Sequence, residues 1–232
     1  MPRPPPEHHL RKQIMKTNSS RVSRAFTLIE LLVVIAIIAM LAGIALPAIT
    51  QAQISARIVR ATSDARQIFL ALKGYSADHD GAFPGAEAKT SNEAFRELFP
   101  TYMQVEANFA VGSSPVGKKA DNKIEPHSRA LERGENHWAY VAGLSDASNA
   151  LWPIIVDHTD GSGSYGIHEN EPGGTWGGRK AIMVRCDGGG VAPALRGTGA
   201  KRFLPRFDDE DQNALELTSY MGDGVRLLEP EH

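Results

Sequence analysis

Apolar and polar positions divide the chain into two regimes. Between Glu30 and Arg57 no residue is charged, and Leu31 to Ile49 is an apolar run interrupted only by Gly43 and Pro47. A bilayer core of about 30 Å takes roughly 20 such residues as a helix. Inside lipid, a single span can satisfy its own backbone only as a helix. The run is apolar on every face, so it predicts a transmembrane helix over 26–49 rather than a buried core helix. From Ile54 the pattern becomes amphipathic. Ile54, Ile58, Ala61, Ala65, Ile68 and Leu72 step alternately by four and three, which places them on one helical face. Arg57, Arg60, Asp64, Arg66 and Lys73 lie mostly elsewhere. The spacing therefore predicts an amphipathic helix over 50–74 continuing the span, with Gly74 as its stop. Pro47 predicts a kink or a local melt within it. The amphipathic half has too few heptads for a coiled coil, so packing against the chain's own sheet is the preferred reading.

Beyond the helix the elements are short. Asp80-Gly81 is a turn pair, and Pro84 fixes the chain leaving it. Asp78, His79 and Asp80 read as cap and solvent face rather than as catalytic groups. Asn92 to Tyr102 predicts a short helix capped by Asn92, with Phe95, Leu98 and Phe99 as its apolar side and Pro100 at its end. Ala110 to Arg133 is polar and turn-rich. Strands are predicted at His137–Gly143, Leu151–Val156 and Ala181–Cys186, with Asp187-Gly188 as a hairpin turn into Gly189-Gly190-Val191. Val225–Leu228 is a last strand, and 229–232 should fray.

Charge gives the helix a direction. The formal net charge is -2, but Arg3, Arg11, Lys12, Lys16, Arg21 and Arg24 precede the span against Glu7 alone, whereas 57–232 carries an acidic surplus. Basic residues before a span are held inside, which sends the remainder across the membrane. The acidic surplus and the lack of aromatics around Lys118, Lys119 and Lys123 exclude a nucleic-acid-binding reading. Cys186 is the only cysteine, so an intrachain disulfide is excluded. It reads as a buried, inert thiol.

Glu30 stands at the edge of the apolar run, and the one attractive small-residue junction, Ala25-Phe26, lies before the run. A generic secretory signal places its cleavage site after it. The stretch Arg24-Ala25-Phe26-Thr27-Leu28-Ile29-Glu30-Leu31-Leu32-Val33-Val34-Ile35 resembles the cleavage and methylation signature of type IV pilins and type II secretion pseudopilins. The stretch from Leu70 to Phe83-Pro84 resembles the post-helix junction of major pseudopilins. GGTWGGRKAIMVRCDGGGV is similar to the terminal hairpin of prepilin-type proteins of soil and aquatic bacteria.

The resemblance implies a cleaved basic leader over 1–25, with a prepilin peptidase cutting between Ala25 and Phe26. Phe26 becomes an N-methylated N-terminus, and Glu30 neutralises the Phe26 amine of a neighbouring subunit. Pro47 matches the proline that commonly interrupts this helix. The family usually carries Gly before the scissile bond, where this chain has Ala25. The implied fold is α+β and pilin-like: a long N-terminal helix packed on a small antiparallel sheet, with 75–232 as a periplasmic domain. The implied function is a structural subunit of a type II secretion pseudopilus, in the bacterial inner membrane with its N-terminus cytoplasmic. Its partners are further copies of itself, minor pseudopilins, the prepilin peptidase, an assembly ATPase, platform proteins and a secretin. A type IV pilus subunit and a non-polymerising membrane-anchored binding module are the alternatives. The short tail and missing disulfide favour the pseudopilin.

Other chemistry is thin. Asp157, Asp160, Ser162 and Ser164 lie in a DHTDGSGS loop of hard oxygen ligands, the sequence's best candidate for calcium. It lacks EF-hand spacing, and Asp160-Gly161 is equally a plain turn. The family often carries a calcium in a C-terminal loop. Asp208-Asp209-Glu210-Asp211 points in too many directions for one ion. His8 and His9 lack further ligands. No Gly-x-Ser-x-Gly elbow, His-Glu-x-x-His helix or phosphate loop appears, so no catalytic residue is expected, although His127, His137, His158 and His168 leave a triad open to geometry. Trp138, Trp152 and Trp176 read as packing rather than as a glycan platform.

Overall fold

The structure is a computed structural model, which describes residues 26–112, 114, 119–165, 175–176, 178–199 and 201–231. The chain forms two compact units, Met1–Ala48 and Ile49–His232. The first helix, α1, is Leu28–Asp78 and contributes to both. The leader, Ala25 and His168 lie outside the described residues.

In the first unit no described residue covers α1. Leu31, Ile35, Ile38 and Leu41 are all more than half exposed. An apolar helix without a protein cover is a helix built for lipid. Among the described residues it is the one helix long and apolar enough to cross a membrane. Helical backbone continues through Pro47, so the melted alternative is not adopted.

The second unit bears out the amphipathic reading. Ile58, Ala61, Ala65, Ile68 and Leu72 are buried, Ile54 packs against the same core, and Val59 and Leu70 face outward. Full burial of side chains such as Ile68 and Leu72 stabilises by about 1.5–3 kcal/mol each. The helix does not stop at Gly74 but runs on to Asp78. Gly74 marks a close approach instead: a Cβ there would sit 3.2 Å from Cδ1 of Tyr102. Tyr102 then donates to Asp78 at 2.9 Å, and His79 stacks on Tyr75 at 3.7 Å. These contacts hold the last turn, so Asp78 and His79 serve the helix end.

Among the described residues five strands form one antiparallel sheet in the order β4-β3-β2-β1-β5: β1 Trp138–Ala142, β2 Pro153–Asp157, β3 Met183–Arg185, β4 Gly190–Val191 and β5 Arg226–Leu228. Tyr140 is central, paired with Ile155 on one side and Leu228 on the other. Pro153, which has no N–H to donate, begins β2 beside a register shift. Every residue of β1 and β2 is buried, so both faces are covered. The β3–β4 turn closes with Gly188 at φ +79, where a Cβ would meet Phe69 of α1 at 2.9 Å. Helix and sheet thus share one core, an α+β architecture of pilin type.

Two local expectations are corrected. The short helix α2 is Ser91–Arg96, capped by Thr90 rather than Asn92. Thr90 accepts from Glu93 N–H, whereas Asn92 is buried and donates to Leu131 O at 2.9 Å. The C-terminal segment does not fray. Glu229 O accepts from Ser91 N–H, Glu229 Oε2 accepts from Thr159 N–H at 3.1 Å, and Glu231 N–H donates to Asn92. The last helix, α3, is Leu217–Met221.

Candidate functional site

The start of α1 is built from two residues. Thr27 precedes the first helical turn, and Glu30 is its third residue. Glu30 Oε2 accepts from Thr27 N–H at 2.9 Å and from Thr27 Oγ1–H at 2.7 Å, and Glu30 N–H donates to Thr27 Oγ1 at 3.3 Å. This is a capping box, in which a Thr and a Glu three residues on satisfy each other's backbone donors. Its signature, Thr27-x-x-Glu30, stands in the sequence but is overshadowed there by the stronger processing motif. Both acceptor contacts fall on Oε2. Phe26, 72% exposed, adjoins the capped turn.

In the DHTDGSGS loop the candidate ligands have partners within the protein. Asp157 is fully buried and is committed to the sheet: Oδ1 is 2.7 Å from His137 Nε2, and Oδ2 accepts from Trp176 Nε1–H at 2.9 Å and Ile182 N–H at 2.6 Å. Three donors from three segments tie together around one carboxylate. Asp160 Oδ1 instead accepts from Ser162 N–H, Ser162 Oγ–H and Ser164 N–H at 2.9, 2.6 and 3.3 Å. That is the geometry of an Asx turn. Asp157, at the end of β2, thus bonds into the sheet, whereas Asp160, Ser162 and Ser164 bond to one another.

Sequence spacing also hides a Ser–His–Asp chain. Ser114 Oγ lies 2.9 Å from His137 Nδ1, on the side of the ring opposite Asp157. Ser114 borders a cleft with Arg57, Arg60, Asp64 and Lys119. Trp138 is fully buried, Trp176 is 9% exposed, and Trp152 packs against the core, so the tryptophans are packing residues. In the acidic cluster, Asp208 pairs with Arg206 at 2.7 Å and Glu210 with Arg196, so those acids have partners.

A second carboxylate group has no counterpart in the sequence pattern. Glu106 begins a 3-10 turn, Glu106–Phe109, Asp121 lies in the polar loop, and Glu135 ends it. One oxygen from each lies within 4.8 Å of the others. Glu106 Oε1 accepts from Leu131 N–H at 2.8 Å, and holds that buried leucine at φ +51. Glu135 accepts from Asp121 N–H at 3.0 Å and Glu132 N–H at 2.8 Å. Burial pushes the Glu135 carboxyl up, its two backbone donors pull it back, and Glu106 and Asp121 raise it further. No spacing rule joins three acids so far apart in sequence.

Comparison with known proteins supports the N-terminal locus. No curated protein and no solved structure matches the chain. Residues 20–46 match the family model of the prokaryotic N-terminal methylation motif, so the chain carries the prepilin-type motif found in the type IV pilin and pseudopilin superfamily.

Proposed function

We propose that the chain is a structural subunit of a type II secretion pseudopilus that polymerises through α1. The observation that carries this reading is the Thr27–Glu30 capping box at the head of an uncovered apolar helix, inside the matched methylation motif. A plain anchor would be served by the cap alone, so it is the place of this carboxylate, four residues after Phe26 and inside the methylation motif, that favours a polymerising subunit. In a filament the same carboxylate meets a neighbour's Phe26 amine. The basic residues of the leader support a cytoplasmic N-terminus and a periplasmic sheet domain. Assembly would engage minor pseudopilins, a prepilin peptidase acting at Ala25-Phe26, an ATPase with its platform proteins, and a secretin.

The test is intact mass spectrometry of the protein extracted from native membranes. The expected mature chain begins at Phe26 and carries one methyl group. A mature pool retaining residues 1–25 overturns the proposal.

A further inference from the structure

We propose that Glu106, Asp121 and Glu135 form a binding site for a hard divalent cation of the calcium type, closing the loop that leads into β1. Glu106 is fully buried, and its Oε2 has no hydrogen-bond partner among the described residues. A buried carboxylate oxygen left unpaired is costly. The Glu106 carboxylate belongs to a group in which Glu135, 6% exposed, supplies a second buried carboxylate and Asp121 a third at the surface. Like charges at such range repel, and a proton or a cation between them relieves the repulsion. Among the described residues the salt bridge to the group, from Lys123, goes to the exposed Asp121, not to the buried pair.

The dimensions suit calcium. Its oxygen ligands sit at about 2.3–2.6 Å, so two ligands of one ion stand at most about 4.6–5.2 Å apart. The three carboxylate oxygens lie within 4.8 Å of one another. The donors are all carboxylate oxygens, the set that suits calcium, magnesium or manganese rather than zinc or copper. Three protein ligands leave positions for water, and Asp121, exposed, gives the ion a route from solvent. The three acids already organise the loop, because Asp121, Leu131 and Glu132 donate their backbone N–H groups to them. An ion would bind these points into one unit. This site is distinct from the DHTDGSGS turn.

The test uses the full chain in detergent, stripped with chelator and returned to metal-free buffer at constant ionic strength. Calcium chloride is titrated while Tm is followed by tryptophan fluorescence. Trp138 Nε1–H donates to Asn108 O, two residues from Glu106, so the reporter adjoins the site. Calcium should raise Tm saturably in the parent chain and in Asp160→Ala. Glu106→Gln should abolish the response, and Asp121→Asn should raise the half-effective calcium concentration by about tenfold, as loss of one charged ligand weakens such sites. A parent Tm indifferent to calcium overturns the proposal, as does an undiminished response in Glu106→Gln. Should Glu106→Gln fail to fold, the exposed Asp121→Asn decides: an unchanged calcium dependence there overturns the proposal equally.

Discussion

Glu30 caps α1 and, under the proposed function, also pairs with a neighbouring subunit, and the capping geometry shows how to separate the two. Glu30→Leu removes the charge and the cap together. Glu30→Gln removes the charge but keeps an oxygen for Thr27 N–H and Oγ1–H, since glutamine serves the same capping role as glutamate. Thr27→Ala removes the cap and leaves the charge. Loss of an N-terminal cap costs about 0.5–2 kcal/mol. Loss of one partner of a charge pair buried between packed helices costs about 3–5 kcal/mol. At about 1.4 kcal/mol per factor of ten, the cap is worth at most about thirtyfold in assembly, and the pair at least about a hundredfold. The assay is chemical crosslinking in native membranes from single cysteines placed at Ser55, Ser63 or Gln67, which are exposed on α1, in a Cys186→Ser background. Glu30→Gln and Glu30→Leu should both lose the multimer ladder, with leader cleavage and the sheet domain intact. Thr27→Ala should thin the ladder but keep it. A full ladder in Glu30→Gln together with none in Thr27→Ala would refute charge pairing and leave Glu30 as a capping residue.

Two further outcomes follow from the sheet domain. Burial, with Asp187 adding to it and Lys73 opposing, pushes the Cys186 thiol up to about 12, so its thiolate fraction at pH 8 is about a thousandfold below that of an ordinary thiol near pKa 8.5. Iodoacetamide at pH 8 should modify the native chain about a thousandfold more slowly than the denatured chain, and equal rates would contradict the burial. Asp157→Ala strands the His137, Trp176 and Ile182 donors in the core, at about 3–5 kcal/mol. Tm measured on the full chain in detergent should fall by roughly 6–20 °C, and a fall below about 3 °C would show that the carboxylate is not a tie.

What the sequence makes legible follows the range of the forces involved. The span, the buried stripe from Ile54 to Leu72 and the β3–β4 turn are local patterns, each readable within one or two turns of chain. Gly74 misleads because a glycine's stop signal and a glycine's close approach look alike in sequence, and only Tyr102 distinguishes them. Asn92 misleads in the same way, for a capping residue type can equally be a buried donor once Leu131 O is within reach. The tail reads as frayed because nothing in residues 229–231 announces Ser91 and Thr159 as partners. Asp157 groups with its neighbours in sequence, although its side-chain bonds run to His137, Trp176 and Ile182. The group of Glu106, Asp121 and Glu135 is wholly a product of the fold, whereas the Thr27–Glu30 box is legible and simply overshadowed.

The Ser114–His137–Asp157 chain is the feature most easily mistaken for chemistry, and its surroundings argue for structure. As a carboxylate, Asp157 can only accept, so His137 donates from Nε2, and its Nδ1 faces Ser114 Oγ at 2.9 Å. A hydrolytic serine also needs donors for the oxyanion that its attack creates. The Ser114 N–H is already spent on Val111 O at 2.8 Å. His137 is fully buried, with its ring edge-on to Trp138 and to His158 at 4.9 Å and Thr175 Oγ1 3.1 Å from its Nε2, so described residues pack around the imidazole. Asp157 bonds to Trp176 and Ile182 as tightly as to His137, which is more than orienting an imidazole requires. What those bonds do accomplish is to fix the end of β2 to the start of β1 and to the approach to β3. Those bonds close three segments of the sheet around one carboxylate in a domain whose single cysteine, Cys186, cannot form an intrachain disulfide.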